Sequence, residues 1–401
     1  MKILQICHKM PWPLHDGGAY SIYNNAVGLM RNGAEVKVFA MNTTRQWVDP
    51  DMLPSSFLIN TSFESFEIDT RIRLVRVALN LLKSESYFVE RFWSKKWNDK
   101  LIQILKNNTF DIIQLEHTYM GLYIETIRTH SSAKIVLRPQ NAEFAAWERI
   151  VKNERSIIHR LILKIATKRL KKFESEVAQK VDGIIAISDR DQAIFKSLAP
   201  NKPVESIPVG YDFTDSKSAK ESSILNEPPV FYHIGSMDWK PNPQGINWFI
   251  AEVLPLVLKS ISDFKFRIAG KKMPASIKSA RSNNIIIEGE VNDAAEFHLQ
   301  NDIMIVPLLA GGGIRVKIIE AMALGKPVIS TSIGAEGIPY KTGENILIAD
   351  TPQQFVDQIR FCIKSPEEAK SIGQNGRRII QEQFDLTNTT AEMIKFYEME
   401  L

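Results

Sequence analysis

The 401-residue sequence contains only two cysteines, Cys7 and Cys362, which lie far apart in apolar segments. This excludes a disulfide framework and gives no metal-ligand spacing, so we expect a protein of a reducing cytoplasm. No apolar run reaches the roughly 20 residues that a membrane-spanning helix needs. The opening residues MKILQIC lack the features of a signal peptide and predict a first buried strand. We therefore expect a cytoplasmic protein, either soluble or peripheral on a membrane.

Acidic residues are too few to balance the basic ones in the first half of the chain. Residues 1–205 contain 30 lysines and arginines against 22 aspartates and glutamates, whereas residues 206–401 contain 20 against 24. The overall composition, 44% hydrophobic and 24% charged, is that of a globular protein with two or three domains. The imbalance predicts an anionic partner for the first half alone. No nucleic-acid-binding module accompanies it, so we do not expect nucleic acid to be that partner.

Short apolar runs alternate with helical patterns along the chain, which is typical of parallel sheets covered on both faces. The pattern predicts an α/β fold with two Rossmann-like, doubly wound parallel-sheet domains. The polar, serine-rich stretch 210–229 predicts a linker between domains at 1–209 and 230–385, and residues 386–401 predict a C-terminal helix that packs back on the first domain. The predicted strands are 2–7, 35–41, 110–117, 133–139, 181–188, 230–236, 264–270, 284–291, 302–308, 327–331 and 345–350.

Three glycines, Gly311–Gly313, lie between the predicted strand 302–308 and an apolar helix that we expect to begin near Ile314. A glycine-rich turn into a helix N-terminus offers free N–H groups and the positive end of the helix dipole to an anion. Arg315 and Lys317 fall in the first turn, where each opposes the dipole at a cost of a few tenths of a kcal/mol. A bound anion reverses this, because a hydrogen bond to a charged group contributes about 1.5–3 kcal/mol. The stretch therefore predicts a phosphate site.

Glu320 lies three residues after Lys317, on the same face of the predicted helix. Its carboxylate suits the paired hydroxyls of a ribose one turn from a diphosphate. A surface Lys–Glu pair after a flexible loop is the alternative, but it leaves the three glycines unexplained. The pattern therefore favours a nucleotide site.

The stretch GGGIRVKIIEAMALGKPVISTSIGAEGI resembles the nucleotide-sugar signature of retaining glycosyltransferases of the GT-B fold, family 4 (glycosyl transferases group 1). Three further stretches carry the resemblance across nearly the whole chain. HIGSMDWKPNPQGINWFIAEVLP (233–255) is similar to the first strand and loop of the family's donor domain, VLRPQNAEFAAWER (136–149) to its His-Asn-x-Glu segment, and IPVGYD (207–212) to the turn that ends its first domain. The resemblance implies the GT-B architecture, in which two Rossmann-like domains face each other across a cleft.

The resemblance also implies a donor site in the second domain. Glu320 matches the second, ribose-binding glutamate of the family's E-x7-E motif, whereas the first, which contacts the transferred sugar, would fall at Gly312. Ser236 stands where the family often has a diphosphate-binding arginine, and Lys240 loosely matches its lysine, so Arg315 and Lys317 are implied to stabilise the diphosphate. The implied donor-binding set is Gly17, Gly18, Gly235, Ser236, Lys240, Val291 (through backbone groups that hold the base), Gly311, Gly312, Gly313, Ile314 and Glu320.

The first domain is implied to carry the acceptor and one more catalytic residue. His117 ends a predicted strand, where its imidazole suits a sugar hydroxyl or a developing charge, although a structural histidine is the alternative. Asp16, before the Gly-Gly turn, and Arg138 and Asn141 are the implied acceptor contacts. Gln140 stands where the family often has histidine.

The segment HRLILKIATKRLKKFESE (159–176) repeats apolar residues at helical spacing among six cations. A solvated charged face is the ordinary interpretation of such a helix. The excess positive charge of the first half favours the alternative, an anionic membrane surface on the inner face of the cytoplasmic membrane.

Together these features predict a membrane-associated glycosyltransferase that moves a sugar from a nucleoside-diphosphate sugar to a glycan or lipid-linked acceptor, with retention, in cell-envelope polysaccharide synthesis. We expect no cofactor and no metal, because the family's scheme needs none and no Asp-x-Asp pair is suited to one. Two alternatives remain. A nucleotide-sugar epimerase would need acid and base carboxylates, which the loss at Gly312 argues against. A non-catalytic partner that binds nucleotide sugar or glycan is kept open by Gly312, Gln140 and Ser236.

Overall fold

The computed structural model describes residues 1–14, 16–71, 86–154, 156–214 and 229–401. They divide into two compact units, one formed by Met1–Gly210 with Leu386–Leu401 and the other by Tyr211–Asp385. Most of the predicted linker, residues 215–228, lies outside the described residues.

The described part of the first unit contains a seven-stranded, all-parallel sheet with the order β3-β2-β1-β4-β5-β6-β7. Its strands are β1 (Lys2–Cys7), β2 (Glu35–Thr43), β3 (Glu64–Ile68), β4 (Ile112–Glu116), β5 (Lys134–Arg138), β6 (Gly183–Ala186) and β7 (Val204–Ser206). The central strand β1 is buried from Ile3 to Cys7 because both of its faces are covered. Leu4 and Ile6 pack into one core cluster, and Ile3 and Cys7 pack into another.

Helices cover both faces of this sheet. They are α1 (Gly17–Arg31), α2 (Ser55–Asn60), α3 (Tyr87–Glu90), α4 (Lys95–Asn107), α5 (Ile124–His130), α6 (Glu143–Asn153), α7 (Ile157–Lys180) and α8 (Asp189–Leu198). Short 3-10 helices lie at Pro50–Met52 and Thr118–Tyr123.

The second unit contains a six-stranded parallel sheet among its described residues, with the order β10-β9-β8-β11-β12-β13. The strands are β8 (Val230–Ile234), β9 (Lys265–Ala269), β10 (Ile285–Gly289), β11 (Ile303–Val306), β12 (Val328–Ser330) and β13 (Leu347–Ile348). The helices are α9 (Pro241–Trp248), α10 (Leu254–Leu258), α11 (Ala275–Lys278), α12 (Ala294–Leu299), α13 (Val316–Ala323), α14 (Pro352–Lys364) and α15 (Pro366–Gln383), with a π-helical turn at Phe249–Val253.

The two parallel sheets confirm the predicted fold class. Two strands escaped prediction, and both lie at the edges of the first sheet. β3 has the polar sequence ESFEI and β7 is only three residues long, so neither shows the buried apolar run of a central strand. Within the described ranges, no helix combines the length and apolarity needed to cross a bilayer.

The last helix, α16 (Leu386–Met399), packs against α1 of the first unit. The Asn32 side chain donates hydrogen bonds to the Thr387 carbonyl and the Thr390 hydroxyl, both at 2.9 Å. Deeper in the core, the Tyr397 hydroxyl donates to the side-chain carbonyl of Gln114. The approach of α16 to α1 is close at Gly28, where an added Cβ would lie 2.6 Å from Thr390 Cγ2 and 2.8 Å from Leu386 Cδ1.

This contact predicts that Gly28→Ala destabilises the protein although alanine is the better helix former. The helix propensity gains about 1 kcal/mol, whereas overpacking costs about 1–3 kcal/mol. We expect a lower free energy of unfolding in urea, and a smaller loss when the same change is made in a Thr390→Ala background, since the clashing Thr390 atoms are then absent and only Leu386 remains in the way. Equal or higher stability of the single variant would contradict the close packing of α16 on α1.

Candidate functional site

The glycine-rich loop between β11 and α13 has a backbone that only glycine adopts easily. Gly311 has φ +130° and Gly313 has φ +76°. A Cβ at Gly311 would also lie 2.7 Å from Arg315 Nη2 and 2.9 Å from the Trp239 ring. The glycines therefore allow a sharp turn and the close approach of two side chains.

Arg315 folds back over this loop and does not lie in the first helical turn. The expectation that the helix begins near Ile314 is wrong, because α13 begins at Val316 and Arg315 is its N-cap residue, with extended backbone angles. Its buried guanidinium donates to the carbonyls of Gly312 and Gly313 and lies 5.0 Å from the centre of the Trp239 ring. No side chain caps the N-terminus of α13, and its first turn contains no acidic residue.

Lys317 is a half-buried cation in the first turn of α13. Its ammonium donates to Asn242 Oδ1 at 2.8 Å and lies 3.2 Å from His233 Nε2. Among the described residues it forms no ion pair with a carboxylate. Burial, with the nearby charge of Arg315, holds the pKa of Lys317 well below its usual range. A bound anion would therefore remove a cost that the empty site carries.

His233 and Asn242 are site residues that the sequence reasoning missed. The Nδ1 atom of His233 lies 2.8 Å from the Ile305 carbonyl, so it carries the proton, and Nε2 is an acceptor for Lys317. Burial and the charge of Lys317 hold the pKa of His233 well below its usual range, so the ring is neutral. The available signal was position, because His233 lies in the first strand of the predicted donor domain and Asn242 at the start of the helix that follows it.

The loop after β8 uses its residues differently from the prediction. Gly235 belongs to the site, because a Cβ there would lie 3.0 Å from the Lys317 ammonium. The Ser236 hydroxyl is buried and has no hydrogen-bond partner in the part of the chain that the structure describes. Lys240 is exposed and starts α9, so Asn242, not Lys240, contacts the cationic group.

Glu320 lies one turn beyond Lys317 on α13, with 23% of its side chain exposed. Its carboxylate accepts no hydrogen bond from a described residue, and the nearest basic nitrogen is His298 Nε2 at 3.9 Å. Burial, with the charge of Asp293, raises the pKa of Glu320 to about 7. Val291 lies in the loop between β10 and α12, half-buried. The second unit thus presents a cationic group and an open carboxylate on one helix.

In the first unit, the parallel register brings two histidines to the carboxyl edge of the sheet. Cys7 of β1 pairs with Glu116 of β4, so the next residues, His8 and His117, are neighbours with ring centres 4.3 Å apart. His117 has φ +103°, and its Nε2 lies 3.3 Å from Glu143 Oε1.

The hydrogen bonds define which nitrogen carries the proton in each of the two histidine rings. The amide of Tyr119 donates to His117 Nδ1 at 3.3 Å, so Nε2 of that ring carries the proton toward Glu143. His8 Nδ1 lies 2.9 Å from the Glu116 carbonyl, which leaves its Nε2 as an acceptor. Burial, with His117 adding to it, holds the pKa of His8 well below its usual range. His8 also escaped prediction, although its place directly after the first strand was a signal.

The Asp16–Gly18 segment is a helix start and not the Gly-Gly turn that we expected. Asp16 caps α1 by accepting from the amides of Gly18 and Ala19, and its carboxylate pairs with Lys9 at 2.6 Å. Gly17 is the first residue of the helix. A Cβ at Gly18 would lie 2.7 Å from Gln140 Oε1, so Gln140 packs over this helix start.

Arg138 does not fit the predicted acceptor contact. Its side chain is 2% exposed, and Nη1 bonds to Glu116 Oε2 at 3.1 Å and to the Ser21 hydroxyl at 2.8 Å. The register that aligns β5 with β4 places the two charged groups side by side in the core, so this pair is structural. Asn141 stays a predicted acceptor contact, because its buried Oδ1 has no hydrogen-bond partner among the described residues.

No group of three or more His, Cys, Asp or Glu side chains in the described ranges has metal-binding geometry. The second unit offers a glycine loop, a helix N-terminus and two cations for a diphosphate, and a carboxylate for hydroxyl groups. The first unit offers a paired histidine and glutamate at a sheet edge. The groups of the second unit are suited to a nucleotide, and those of the first unit are suited to neutral hydroxyl groups.

Comparisons with known proteins bear on the family and the fold of the chain. Residues 228–365 match the family model described as glycosyl transferases group 1, so the second unit carries a domain of that kind. An uncharacterized 44.6 kDa protein in the cps region of Klebsiella pneumoniae is 25% identical over 405 residues, which is 98% of this chain and 99% of that protein.

Two solved structures share the fold over the whole chain. Sucrose-phosphate synthase from Thermosynechococcus elongatus has a TM-score of 0.68 at 17% identity, covering 99% of this chain and 98% of its own. HepE of Anabaena, solved with UDP, has a TM-score of 0.65 at 14% identity, covering 99% and 100%. The chain therefore has the GT-B fold.

The burial of Glu320 predicts an unusual pH dependence of stability. Its pKa rises from 4.5 to about 7 on folding, so the unfolded chain releases this proton first and the free energy of unfolding falls as pH rises between these values. Glu320→Gln should therefore be about 3 kcal/mol more stable than the wild type at pH 8 and nearly equal to it at pH 4. Urea unfolding across this range measures the difference.

The exposed Glu368→Gln variant is the matched control, because it removes one negative charge without relieving burial. A stability difference between Glu320→Gln and the wild type that stays constant from pH 4 to pH 8 would show that the carboxyl ionises as easily in the folded protein as in the unfolded chain.

Proposed function

We propose that this glycosyltransferase binds a nucleoside-diphosphate sugar in its second unit and transfers the sugar, with retention, to a glycan or lipid-linked acceptor contacted by its first unit. The observation that carries the proposal is the Lys317 ammonium, which has no carboxylate partner among the described residues and lies one helical turn from the open carboxylate of Glu320. Burial disfavours both charges, and a ribose diphosphate satisfies both.

The diphosphate is the leaving group, and three features stabilise the charge that develops on it. Lys317 and Arg315 supply two cations, and the uncapped N-terminus of α13 supplies amides and its dipole. Arg315 donates to the loop carbonyls in the empty site, and the phosphate oxygens replace these weaker acceptors. These cations supply the charge that a divalent metal provides in other transferases, so we propose that binding and transfer need no metal.

The remaining donor contacts follow from the same helix. Glu320 accepts from the ribose hydroxyls, and backbone groups around Val291 hold the base. UDP is the first nucleotide to try, because the similar HepE was solved with UDP and with UDP-glucose.

The first unit contributes His117, His8 and Glu143 to the sugar or acceptor. His117 Nε2–H lies against Glu143, which keeps the ring oriented, and a sugar hydroxyl competes for that donor. In the proposed front-side reaction the acceptor oxygen bonds to the anomeric carbon as the bond to the diphosphate oxygen breaks. The acceptor proton passes to the departing phosphate, and the positive charge on the sugar is transient.

A panel of nucleoside diphosphates and nucleotide sugars, tested by thermal unfolding in buffer containing EDTA, checks the donor site. A ligand at 100 times its dissociation constant adds about 2.7 kcal/mol to stability. Lys317→Met and Arg315→Ala should each weaken binding by about 10- to 100-fold, because each removes hydrogen bonds to a charged group. Lys240→Ala, which removes an exposed cation nearby, should bind like the wild type.

Turnover of the bound nucleotide sugar separates an enzyme from a binding partner. Slow hydrolysis of the donor without acceptor, with the α or β configuration of the donor kept in the released sugar, supports the proposed retaining transferase. Stabilisation by no nucleotide, or equal stabilisation of the wild type and both cation variants, would contradict the donor site. Binding without any turnover would favour a non-catalytic role.

We also propose that α7 lies on an anionic membrane surface. Five apolar side chains in its amino-terminal half are exposed, among them Ile157 at 80%, Ile158 at 73% and Leu161 at 59%. The exposed stripe begins at Ile157, two residues before the predicted segment 159–176, and Leu170 within that segment is fully buried. Exposed cations alternate with the stripe at Arg160, Lys164 and Lys168, and they complement anionic headgroups.

Such a surface fits a lipid-linked acceptor and cell-envelope polysaccharide synthesis. The Klebsiella relative supports that role through its name, which places it in a cps region.

Vesicle co-sedimentation tests this surface. The wild type should bind vesicles that contain phosphatidylglycerol and should be released by high salt, which screens the cations. Replacing Ile157, Ile158 and Leu161 by serine should weaken binding on the order of 100-fold, because three apolar side chains no longer enter the headgroup layer. Ile59→Ser, at another exposed apolar position of the first unit, is the control. Equal binding of the triple variant and the wild type would refute the α7 surface.

A further inference from the structure

Tyr232 and His298 form a fully buried pair in the second unit that the proposed chemistry does not use. Tyr232 lies on β8 and His298 in the last turn of α12. The Tyr232 hydroxyl is 2.7 Å from His298 Nδ1, and both side chains are 0% exposed. The other ring nitrogen of His298 faces Glu320 on α13, so the pair joins three elements of the donor site.

The hydrogen bonds assign the tautomer of His298. Among the described residues, the Tyr232 hydroxyl has His298 as its partner and no other. Burial raises the pKa of Tyr232 well above its usual range, so the phenol keeps its proton and needs an acceptor. His298 Nδ1 is that acceptor. Burial, with Lys326 and Lys317 nearby, lowers the pKa of His298 to about 3, so the ring is neutral and its single proton is on Nε2.

This Nε2–H group has no acceptor among the described residues. The atom is buried without a hydrogen-bond partner in the described part of the chain. The nearest carboxylate oxygen is Glu320 Oε2 at 3.9 Å, about 1 Å beyond a hydrogen bond. The Glu320 carboxylate likewise accepts nothing from the described residues. A donor and an acceptor thus face each other across a gap that a small shift of one side chain closes.

We propose that His298 is a positioning residue for the ribose-binding carboxylate, with its Nε2–H held by Glu320 Oε2 when a nucleotide binds. The proposal rests on the proposed donor site. One carboxylate oxygen is then fixed by His298, and the other is directed at a ribose hydroxyl. Because the ring is neutral, it orients the carboxylate without cancelling its charge, and Tyr232 maintains the tautomer that makes Nε2 a donor.

The contribution of the ribose hydroxyls to binding is the readout that tests this role. Isothermal titration would compare UDP, ADP and GDP with their 2′-deoxy and 3′-deoxy forms. Wild-type protein should bind at least one nucleotide about tenfold more tightly than its deoxy form, since that form loses a hydrogen bond to a carboxylate. His298→Asn places no donor at the Nε2 position, so this preference should fall to about twofold or less.

Two further variants keep the test decisive. His298→Gln returns an N–H donor near the Nε2 position, so the preference for the ribose hydroxyl should be restored to within about twofold of the wild type. Tyr232→Phe leaves the His298 ring in place but no longer fixes its tautomer, so the preference for the ribose hydroxyl should fall. This variant provides the test if His298→Asn does not fold. Urea unfolding of each variant shows which of them are folded.

The outcomes separate this inference from the donor site. If the wild type prefers the ribose forms and the folded His298→Asn and Tyr232→Phe variants keep the whole preference, His298 does not position Glu320 and the donor site stands. If the wild type binds nucleotides without any such preference, the positioning role is also wrong. If the wild type binds no nucleotide, the proposed donor site fails and the inference fails with it.

Discussion

The ammonium of Lys317 is the constraint on which the donor site depends. A cation removed from water needs hydrogen-bond acceptors or an opposite charge, and the fold supplies the neutral acceptors His233 and Asn242 instead of a carboxylate. Those two residues need the loop after β8 to approach closely, which Gly235 permits because a side chain there would meet the ammonium. Neutral acceptors do not fully offset the cost of removing the Lys317 cation from water. A bound anion would offset the rest, so the site is selective for anions.

Glu320, one turn away on the same helix, is a carboxylate whose negative charge is also disfavoured by burial. Burial lowers the pKa of Lys317 and raises that of Glu320, so α13 holds two charges that the empty protein disfavours. A site of this kind trades stability for binding, because relieving either charge by mutation would make the folded protein more stable and the site less able to bind. A nucleoside diphosphate matches both groups, since its phosphates are anionic and its ribose hydroxyls donate.

Sequence patterns predicted the elements that depend on neighbouring residues in the chain, but not the side-chain contacts that depend on how strands and helices pair. The apolar runs predicted the central strands, and Gly311–Gly313 with Glu320 predicted a binding helix, because these signals lie within a few adjacent residues. The edge strands β3 and β7 lack the apolar run that predicts a central strand. Arg138 was misjudged because only the pairing of β4 with β5 shows that Glu116 neutralises it in the core. His8, His233 and His298 were missed for the same reason, since each acquires a role from partners on other strands or helices.

The two units treat their polar groups differently, and this difference suits their proposed tasks. In the first unit the polar groups near the sheet edge are matched internally, Glu116 with Arg138 and His117 with Glu143. In the second unit Lys317 has no carboxylate among the described residues, and the Ser236 hydroxyl and His298 Nε2 have no hydrogen-bond partner there. A site whose polar groups are already paired does not demand a charged ligand. It can bind neutral hydroxyl groups in varied positions, which suits the proposed glycan acceptor. A site with unmatched groups favours one charged ligand, so under the proposed function its strongest contacts are with the diphosphate and the ribose of the donor.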